Sequence, residues 1–380
     1  MRWSVTLSRV SIGIAAVALL ASACAPAAAP ATASPSPAAA APTAAPRASP
    51  VVTPGLAVAT PRPAVPTPAP ATTPASAREQ ARYGGMLTAY ASSDAATIDL
   101  HQDTSMRTQE KMDSVYNKLV MWDQLRLPEH VAIGDLAETW TISKDGLEWT
   151  FKLRPGPVRW HDGKSLTSED VKFSLDRLRQ PPEGLKRPLV SLYQRIAEVR
   201  APDEKTVVIK LRQPTPWFLD LMVNPVSSVL PKHVLEKNQK ALEGAAVGSG
   251  PFRLKAWTRG VGFDLEKNTD YFKPGLPYLD SIKWYQIPDA GTQFAAFRTG
   301  RVIYTGPGVR GLSPSEERIL RKEMPSVQLH YYTAETRFDI IFNTQREPFN
   351  DVRVRQAVMM VVDQQKVIDL AYEGLGFKGW

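Results

Sequence analysis

Residues 25–78 cannot form a continuous helix or sheet, and they limit where a folded domain can begin. Fourteen of the 33 prolines fall in this stretch, among Ala, Ser and Thr and without an aromatic residue. Each proline removes a backbone donor and restricts φ, so regular structure is interrupted repeatedly. We therefore predict a disordered tether, on the order of 40 Å long as a flexible coil. The folded part is expected to begin near Tyr83.

The residues before the tether have the pattern of an export signal. Two arginines precede the apolar run Val10–Ala21, which is shorter than a membrane-spanning helix requires. Small residues then lead into Cys24, the only cysteine, which has no partner for an internal disulfide. This pattern resembles a bacterial lipoprotein signal. We predict a signal peptide over residues 1–23, lipidation of Cys24, and an extracytoplasmic protein (periplasmic or cell-surface) anchored to the cell membrane. An ordinary secretory signal with an incidental cysteine is the alternative.

The net charge of +8 comes largely from the segment before the folded part. Residues 1–78 contain five arginines and no acidic residue, whereas residues 79–380 contain 41 basic and 38 acidic residues. A folded region with nearly equal numbers of basic and acidic residues attracts nucleic-acid phosphates only weakly. We expect no nucleic-acid partner.

Strand and helix patterns alternate after residue 79. Period-two alternation or a Gly/Pro turn predicts strands at Met86–Ala91, Leu147–Leu153, Lys205–Leu211 and after Gly248. Helical spacing predicts helices at Thr108–Val120, Val171–Leu178 and Asp351–Leu370. Interleaved strands and helices indicate a mixed α/β fold.

The chain lacks the residue patterns of common catalytic and metal sites. Its five histidines are scattered, no C-x-x-C pair exists, and no nucleophile elbow or phosphate-binding glycine loop follows a strand. Asp145-Gly146 and His161-Asp162-Gly163 suit tight turns, because glycine accepts positive φ. We expect no enzymatic activity, no cofactor and no metal site.

Six segments occur in an order that is specific to one family. They are LAETWTISKDGLEWTFKLRPG (Leu136–Gly156), VRWHDGKSLTSEDVKFSLDRL (Val158–Leu178), GSGPFRLKAW (Gly248–Trp257), EKNTDYF (Glu266–Phe272), AAFRTGRV (Ala295–Val302) and FNTQREPFNDVRVRQAV (Phe342–Val358). Together they resemble the family 5 ABC-type solute-binding proteins, which bind oligopeptides, dipeptides or nickel complexes. The resemblance departs at Arg301-Val302-Ile303, where an acidic residue is usual.

The resemblance implies a two-lobed periplasmic-binding-protein type II (Venus-flytrap) fold with an extra N-terminal subdomain. Residues 79–302 would form the first lobe, with the subdomain inserted at about 121–217. Residues 303–380 would begin the second lobe. Family members continue well beyond the helix that matches Asp351–Tyr372, so we expect a second lobe that is truncated in this sequence, as in a fragment or an interrupted reading frame.

The resemblance also suggests which residues face the solute. The loop after the first strand, Ser92–Met106, faces the cleft in this family. Asp94 or Asp103 would meet a ligand amine, although exposed loop carboxylates are common. Met106 would line the pocket, with core packing as the alternative. Tyr193 lies where a metal-chelate-binding relative places a cleft aromatic.

The function implied is that of a receptor that captures a peptide or related small solute and delivers it to an ABC permease and its ATPase complex. The sequence does not distinguish among peptides, nickel chelates, haem and sugars. The competing hypothesis is an extracellular ligand-sensing or adhesion module that uses the same clamp, or a non-functional truncated product. Neighbouring permease and ATPase genes would favour the transport receptor.

Overall fold

A computed structural model describes residues 3–8, 82–126, 129–186, 188–305, 312–332 and 339–374. The predicted signal run Val10–Ala21, the lipidation residue Cys24 and the tether lie outside the described residues.

The described elements alternate between strand and helix. The strands are β1 (Trp3–Ser8), β2 (Met86–Ala91), β3 (Val120–Trp122), β4 (Ala132–Gly134), β5 (Ala137–Ile142), β6 (Glu148–Leu153), β7 (Ile196–Asp203), β8 (Thr206–Leu211), β9 (Phe252–Thr258), β10 (Gly262–Lys267), β11 (Ser281–Gln286) and β12 (Val327–Tyr332). The helices are α1 (Met106–Met112), α2 (Ser168–Arg179), α3 (Val190–Tyr193), α4 (Phe218–Val223), α5 (Lys232–Leu235), α6 (Ala290–Arg298), α7 (Pro314–Glu323), α8 (Val352–Val361) and α9 (Gln364–Tyr372). Short 3-10 turns lie at Gln124–Arg126, Pro225–Ser227 and Ala241–Glu243. The prediction of a mixed α/β fold is confirmed.

The first sheet has the strand order β2-β11-β10-β9. β2 and β11 run parallel, whereas β10 is antiparallel to both of its neighbours. Phe263, Leu265 and Trp284 from these strands bury their side chains with Ile98 and Leu100 from the loop after β2. The core of this sheet therefore holds that loop in place.

The second sheet, β5-β6-β8-β7, is antiparallel throughout. Alternate residues of β6 are buried, as the sequence predicted, and Phe151 stacks between Trp140 and Trp149 with ring centroids 6.2 and 6.3 Å away. Val171 and Leu175 of α2 belong to the same buried cluster.

Two smaller strand pairs complete the sheets. β3 and β4 are antiparallel, and β1 runs parallel to β12 from Trp3 opposite Val327 to Ser8 opposite Tyr332. Near the first sheet, Tyr304 forms a parallel bridge with Ala89 of β2.

The two larger sheets draw on different parts of the chain. The first combines residues 86–91 with residues 252–286, and the second uses residues 137–211. A lobe assembled from discontinuous segments, with a unit inserted in it, would have this composition. The boundaries 79–302 and 121–217 stay predictions.

A buried polar cluster lies where segments from both sheets meet. Asp135, just before β5, forms an ion pair with Lys273, which precedes β11. Asn117 donates to the same carboxylate at 3.0 Å and accepts a hydrogen bond from Ser249 at 3.1 Å. Burial alone would raise the pKa of Asp135, but the charge of Lys273 and the hydrogen bonds to the carboxylate hold it below its usual range.

The helix predicted over Thr108–Val120 is wrong beyond its first turns, because α1 ends at Met112. The apolar residues after Met112 are buried, as their spacing suggested, but in an irregular segment. Backbone carbonyls at 115–118 accept hydrogen bonds from distant amides, those of Gly250, Val229 and Leu136. These long-range bonds replace the bonds that a continuing helix would make.

The single helix predicted over Asp351–Leu370 is also wrong, because it is two helices. α8 ends at Val361, and Asp363 has an extended backbone with φ −77° and ψ 94°. The Asp363 carboxylate accepts from the amide of Lys366 at 3.1 Å and caps α9. Aspartate is among the residues that best cap a helix N-terminus, so the break has a local cause.

Candidate functional site

The β2–α1 loop, residues 92–105, is the segment that sequence analysis predicted to face a solute. Its first anchor is Asp94. Oδ1 accepts hydrogen bonds from the Trp257 indole at 2.9 Å and from the amide of Ala95 at 2.9 Å, and Oδ2 accepts from the amide of Gly260 at 3.1 Å. Asp94 thereby ties the loop to the turn between β9 and β10.

Arg259, in the same turn, also binds the start of the β2–α1 loop. Its guanidinium donates to the carbonyl oxygens of Ala95 at 2.7 Å and Ala96 at 3.3 Å. The guanidinium also lies 3.7 Å from the ring centroid of Trp257, where a cation–π interaction is favourable. The start of the loop is therefore held through both its side chains and its backbone.

The middle of the loop is held by a buried ion pair between Asp99 and Arg177 of α2. The two side chains are 0 and 2% exposed, and Nη2 of Arg177 lies 2.7 Å from Oδ2 of Asp99. Burial alone would raise the pKa of Asp99. The charge of Arg177, together with hydrogen bonds from Arg177 and Gln102, outweighs burial and holds that pKa below its usual range. Arg177 also donates to the carbonyl oxygen of Gln239 at 3.0 Å, so three chain segments meet here.

His101 adds a second buried contact. Burial and the nearby charge of Arg177 lower its pKa to about 4, so the imidazole is neutral at neutral pH. Nε2 lies 2.8 Å from the carbonyl oxygen of Ser228. Because a carbonyl oxygen only accepts, this contact assigns the proton to Nε2.

Asp103 ends the loop and shapes the start of α1. Its carboxylate accepts hydrogen bonds from the amide of Ser105 at 2.8 Å and from the hydroxyls of Ser105 at 2.9 Å and Thr108 at 2.5 Å. Met106, the first residue of α1, is 48% exposed. The loop thus turns Asp94 and Asp103 toward its own scaffold and leaves the Met106 side chain open to contact.

Tyr193 lies apart from this loop in the hydrophobic cluster of the second sheet. It is 0% exposed, and its hydroxyl is 2.7 Å from Oγ of Ser227. Burial raises its pKa well above the usual range. In this structure Tyr193 presents no surface to a solute. A ligand contact by Asp94, Asp103, Met106 or Tyr193 stays a prediction.

Sequence reasoning missed the pairing of Asp99 with Arg177, although this ion pair holds the middle of the loop. Asp99-Leu100-His101 follows the buried Ile98, and a charged residue inside an apolar run is a signal of a buried pair. The partner, on α2, could not be identified from one sequence.

The described structure gives two further findings about the site. Within the ranges that it covers, no group of three or more His, Cys, Asp or Glu side chains is placed to hold a metal ion. None of the helices in those ranges is long and apolar enough to cross a membrane.

Comparison with known proteins identifies relatives over most of the chain. Residues 132–380 match the family model described as bacterial extracellular solute-binding proteins, family 5 Middle. The glutathione-binding protein GsiB of Shigella boydii serotype 4 (strain Sb227) is 31% identical over 282 residues, which make up 74% of this chain and 53% of that protein. GsiB of Escherichia coli (strain K12) is 30% identical over the same shares. The chain spans about half the length of the curated relatives that it matches.

Solved structures agree with the sequence matches. The periplasmic binding protein DppA from Helicobacter pylori, in complex with the peptide STSA, has a TM-score of 0.68 and 27% identity, covering 80% of this chain and 61% of that one. AgaA from A. tumefaciens R10, in complex with agropinic acid, has a TM-score of 0.65 and 29% identity, covering 77% of this chain and 57% of that one. These similarities confirm the predicted periplasmic-binding-protein type II fold.

Proposed function

The chain belongs to the bacterial extracellular solute-binding proteins of family 5, and we propose that it is the extracytoplasmic receptor of an ABC importer. It captures a peptide or a related small solute between two lobes and delivers it to a membrane permease and its ATPase complex. The family match over residues 132–380 carries this proposal. The structural similarity to a binding protein that holds a peptide supports it.

The β2–α1 loop supports a role in binding because it is fixed in advance. Asp94, Arg259 and the Asp99–Arg177 pair hold it at its start and its middle. A segment that is already ordered loses little conformational freedom when a ligand binds. We propose that Met106 contacts the solute. Asp94 and Asp103 would first have to exchange scaffold partners to do so.

The fixed β2–α1 loop would also allow a bound solute to drive closure of the two lobes. A solute shifts the equilibrium toward a closed form only by binding that form more tightly than the open one. A rigid loop on one lobe gives the solute a fixed surface that the other lobe completes.

Isothermal titration calorimetry tests the ligand class. The protein, from Cys24 onward, is titrated with glutathione, with tri- and tetrapeptide pools, with sugars and with nickel–histidine. Glutathione is the first probe because it is a tripeptide and the relatives above are glutathione-binding proteins. We expect saturable binding of glutathione or peptides. Binding confined to sugars or metal chelates would overturn the peptide assignment.

Two methionines provide a matched pair for the site. Met106 is 48% exposed and Met86, at the start of β2, is 50% exposed. We expect Met106→Ala to weaken binding of the peptide identified by calorimetry and Met86→Ala to leave it unchanged. Equal affinities for the two variants would remove Met106 from the proposed site.

We further propose that Cys24 carries a lipid anchor after removal of residues 1–23, a step that would also remove β1 from its pairing with β12. Each buried methylene of an acyl chain contributes about 0.8 kcal/mol, so two or more chains hold a protein at a membrane. The prediction is that Cys24→Ala moves the protein from the membrane fraction to the soluble extracytoplasmic fraction. Retention of the variant in washed membranes would contradict lipidation at this residue.

A further inference from the structure

A basic groove lies at one end of the second sheet, outside the β2–α1 loop. Its volume is about 410 Å³, and it is lined by Arg179, Gln180, Gln194, Ile196 and Arg212. None of the described residues that line it is acidic, and Ile196 is buried and apolar. Two guanidinium groups and two side-chain amides thus border this volume.

Arg179, the last residue of α2, is fixed in this wall. Its Nε donates to Oδ1 of Asp176 at 2.7 Å, and its Nη1 donates to the carbonyl oxygen of Ala197 at 3.2 Å. The side chain is only 14% exposed. Asp176 also pairs with Lys172 at 2.6 Å. One carboxylate therefore pairs with two cations, and Lys172, Asp176 and Arg179 together keep a net positive charge.

Arg212, which follows β8, forms the other wall. Its Nε donates to the carbonyl oxygen of Gln194 at 2.9 Å. Across the ranges that the structure covers, its Nη1 and Nη2 donate to no protein atom. This bond holds the base of the guanidinium while its two-pronged end stays available.

Arg195 lies between the lining residues Gln194 and Ile196 in the sequence. Its carbonyl oxygen accepts a hydrogen bond from the amide of Arg212 at 2.8 Å. Its guanidinium lies 5.1 Å from the ring centroid of Trp217, and its buried Nε has no hydrogen-bond partner in the described structure. The backbone where β7 begins thus helps to hold Arg212 in place.

We propose that this groove binds a compact oxyanion, a carboxylate or phosphate group, between Arg179 and Arg212. The planar guanidinium offers paired donors that match two oxygens of such a group. The amides of Gln180 and Gln194 provide further donors beside the two guanidinium groups. The groove shares no lining residue with the β2–α1 loop, so it constitutes a second site, distinct from the one proposed for the transported solute.

Calorimetry with two simple anions tests the site in the full chain. The probes are inorganic phosphate and N-acetylglycine, titrated at constant ionic strength against a chloride reference. We expect saturable binding of at least one probe. Arg212→Gln should weaken it about tenfold, because charge-assisted hydrogen bonds are lost. Arg212→Lys, which keeps the charge but not the paired donors, should weaken it less.

Arg200→Gln is the matched control. Arg200 lies on β7, its side chain is 50% exposed, and it pairs with Glu148 rather than lining the groove. Its removal lowers the net charge as much as Arg212→Gln does but should leave anion affinity unchanged. Tryptophan fluorescence and thermal unfolding verify that each variant is folded.

The outcomes separate the sources of the anion. Binding of phosphate alone assigns the site to phosphate groups, and binding of N-acetylglycine alone assigns it to carboxylates such as a peptide C-terminus. Equal loss in Arg212→Gln and Arg200→Gln, or no saturable binding of either probe, would overturn the site. Either result leaves the proposed solute receptor unaffected.

Discussion

Two parts of the chain differ in how they bury apolar side chains. The first part, residues 82–305, contains both large buried clusters, around the first and the second sheet. In the described portion of the second part, residues 312–374, only Leu320 and Ile368 are buried. Large apolar side chains are exposed there instead, among them Ile341, Met360 and Leu370 at 82–89%.

Local helix signals are nevertheless well formed in the second part. Ser313 and Glu316 form a capping box at α7, and Asp351 and Asp363 cap α8 and α9. These caps define where helices begin, but cooperative stability comes mainly from packing of an apolar face. The comparison therefore separates two contributions to stability: local capping, which is present in the second part, and burial of an apolar face, which is largely confined to the first.

The largest expected effect is the loss of a core aromatic in the first part. Phe151→Ala should lower the free energy of unfolding by about 4 kcal/mol, because it leaves a cavity between two tryptophans. Met360→Ala, at a side chain that is 85% exposed, should change it by less than about 0.5 kcal/mol. Urea unfolding followed by tryptophan fluorescence reports on the first part, since seven of the nine tryptophans lie between Trp122 and Trp284.

Equal losses of unfolding free energy in Phe151→Ala and Met360→Ala would contradict the difference in packing between the two parts. They would mean that Met360 is packed in solution and that the second part is as well consolidated as the first.

The buried ion pair gives the next largest effect. Asp99→Ala leaves the guanidinium of Arg177 buried without a counter-charge and should cost about 3 kcal/mol. The matched change in the second part is Glu373→Ala, which breaks an exposed pair with Arg318. We expect no measurable change there, because exposed pairs contribute little. Adding Arg177→Met to Asp99→Ala should recover part of the lost unfolding free energy, because no unpaired charge then stays buried. If the double variant is no more stable than Asp99→Ala, the cost does not come from the unpaired guanidinium.

Much of the first part could be predicted from sequence because its signals are local. Alternation over Leu147–Leu153 predicted β6, which spans Glu148–Leu153, and β2 has the predicted bounds. The helix predicted through Val120 failed after Met112 because distant amides use that backbone, and period alone does not reveal such bonds.

The candidate site was harder to predict than the fold. The loop itself was identified from family resemblance, but the roles of its carboxylates depend on partners far away in sequence. Asp94 contacts Trp257, and Asp99 contacts Arg177. Asp363, by contrast, was a local signal that sequence analysis overlooked, since an aspartate inside a helical pattern can begin a new helix.

A fall in pH should lower the free energy of unfolding of the first part through the buried His101 and the partly buried His161. Burial lowers the pKa of His101 and of His161 to about 4, below the unfolded value of 6.5. The unfolded chain then binds protons that the folded chain does not, so stability is complete above pH 6.5 and declines as pH falls toward 4. For His101 alone the loss at pH 5 should be on the order of 2 kcal/mol.

His101→Gln tests this dependence because it keeps a donor for the Ser228 carbonyl and removes the titration. Its unfolding free energy should fall less steeply than that of the unchanged protein between pH 7 and pH 5. Parallel pH profiles for the two proteins would show that His101 has the same pKa in the folded and unfolded states, contrary to its burial.

The smallest expected effect is one that both parts should share. Asp289 caps α6 in the first part by accepting from the amide of Thr292 at 2.8 Å, and Ser313 caps α7 in the second part by accepting from the amide of Glu316 at 3.2 Å. Replacing either with alanine should cost about 1 kcal/mol, or about fivefold in local opening. Hydrogen exchange of the α6 and α7 amides measures both, with Asp289→Asn and Ser313→Thr as cap-preserving controls. If Ser313→Ala left the exchange rates of the α7 amides unchanged while Asp289→Ala raised those of α6, the start of α7 would not depend on its own cap. The two parts would then differ in local helix stability as well as in packing.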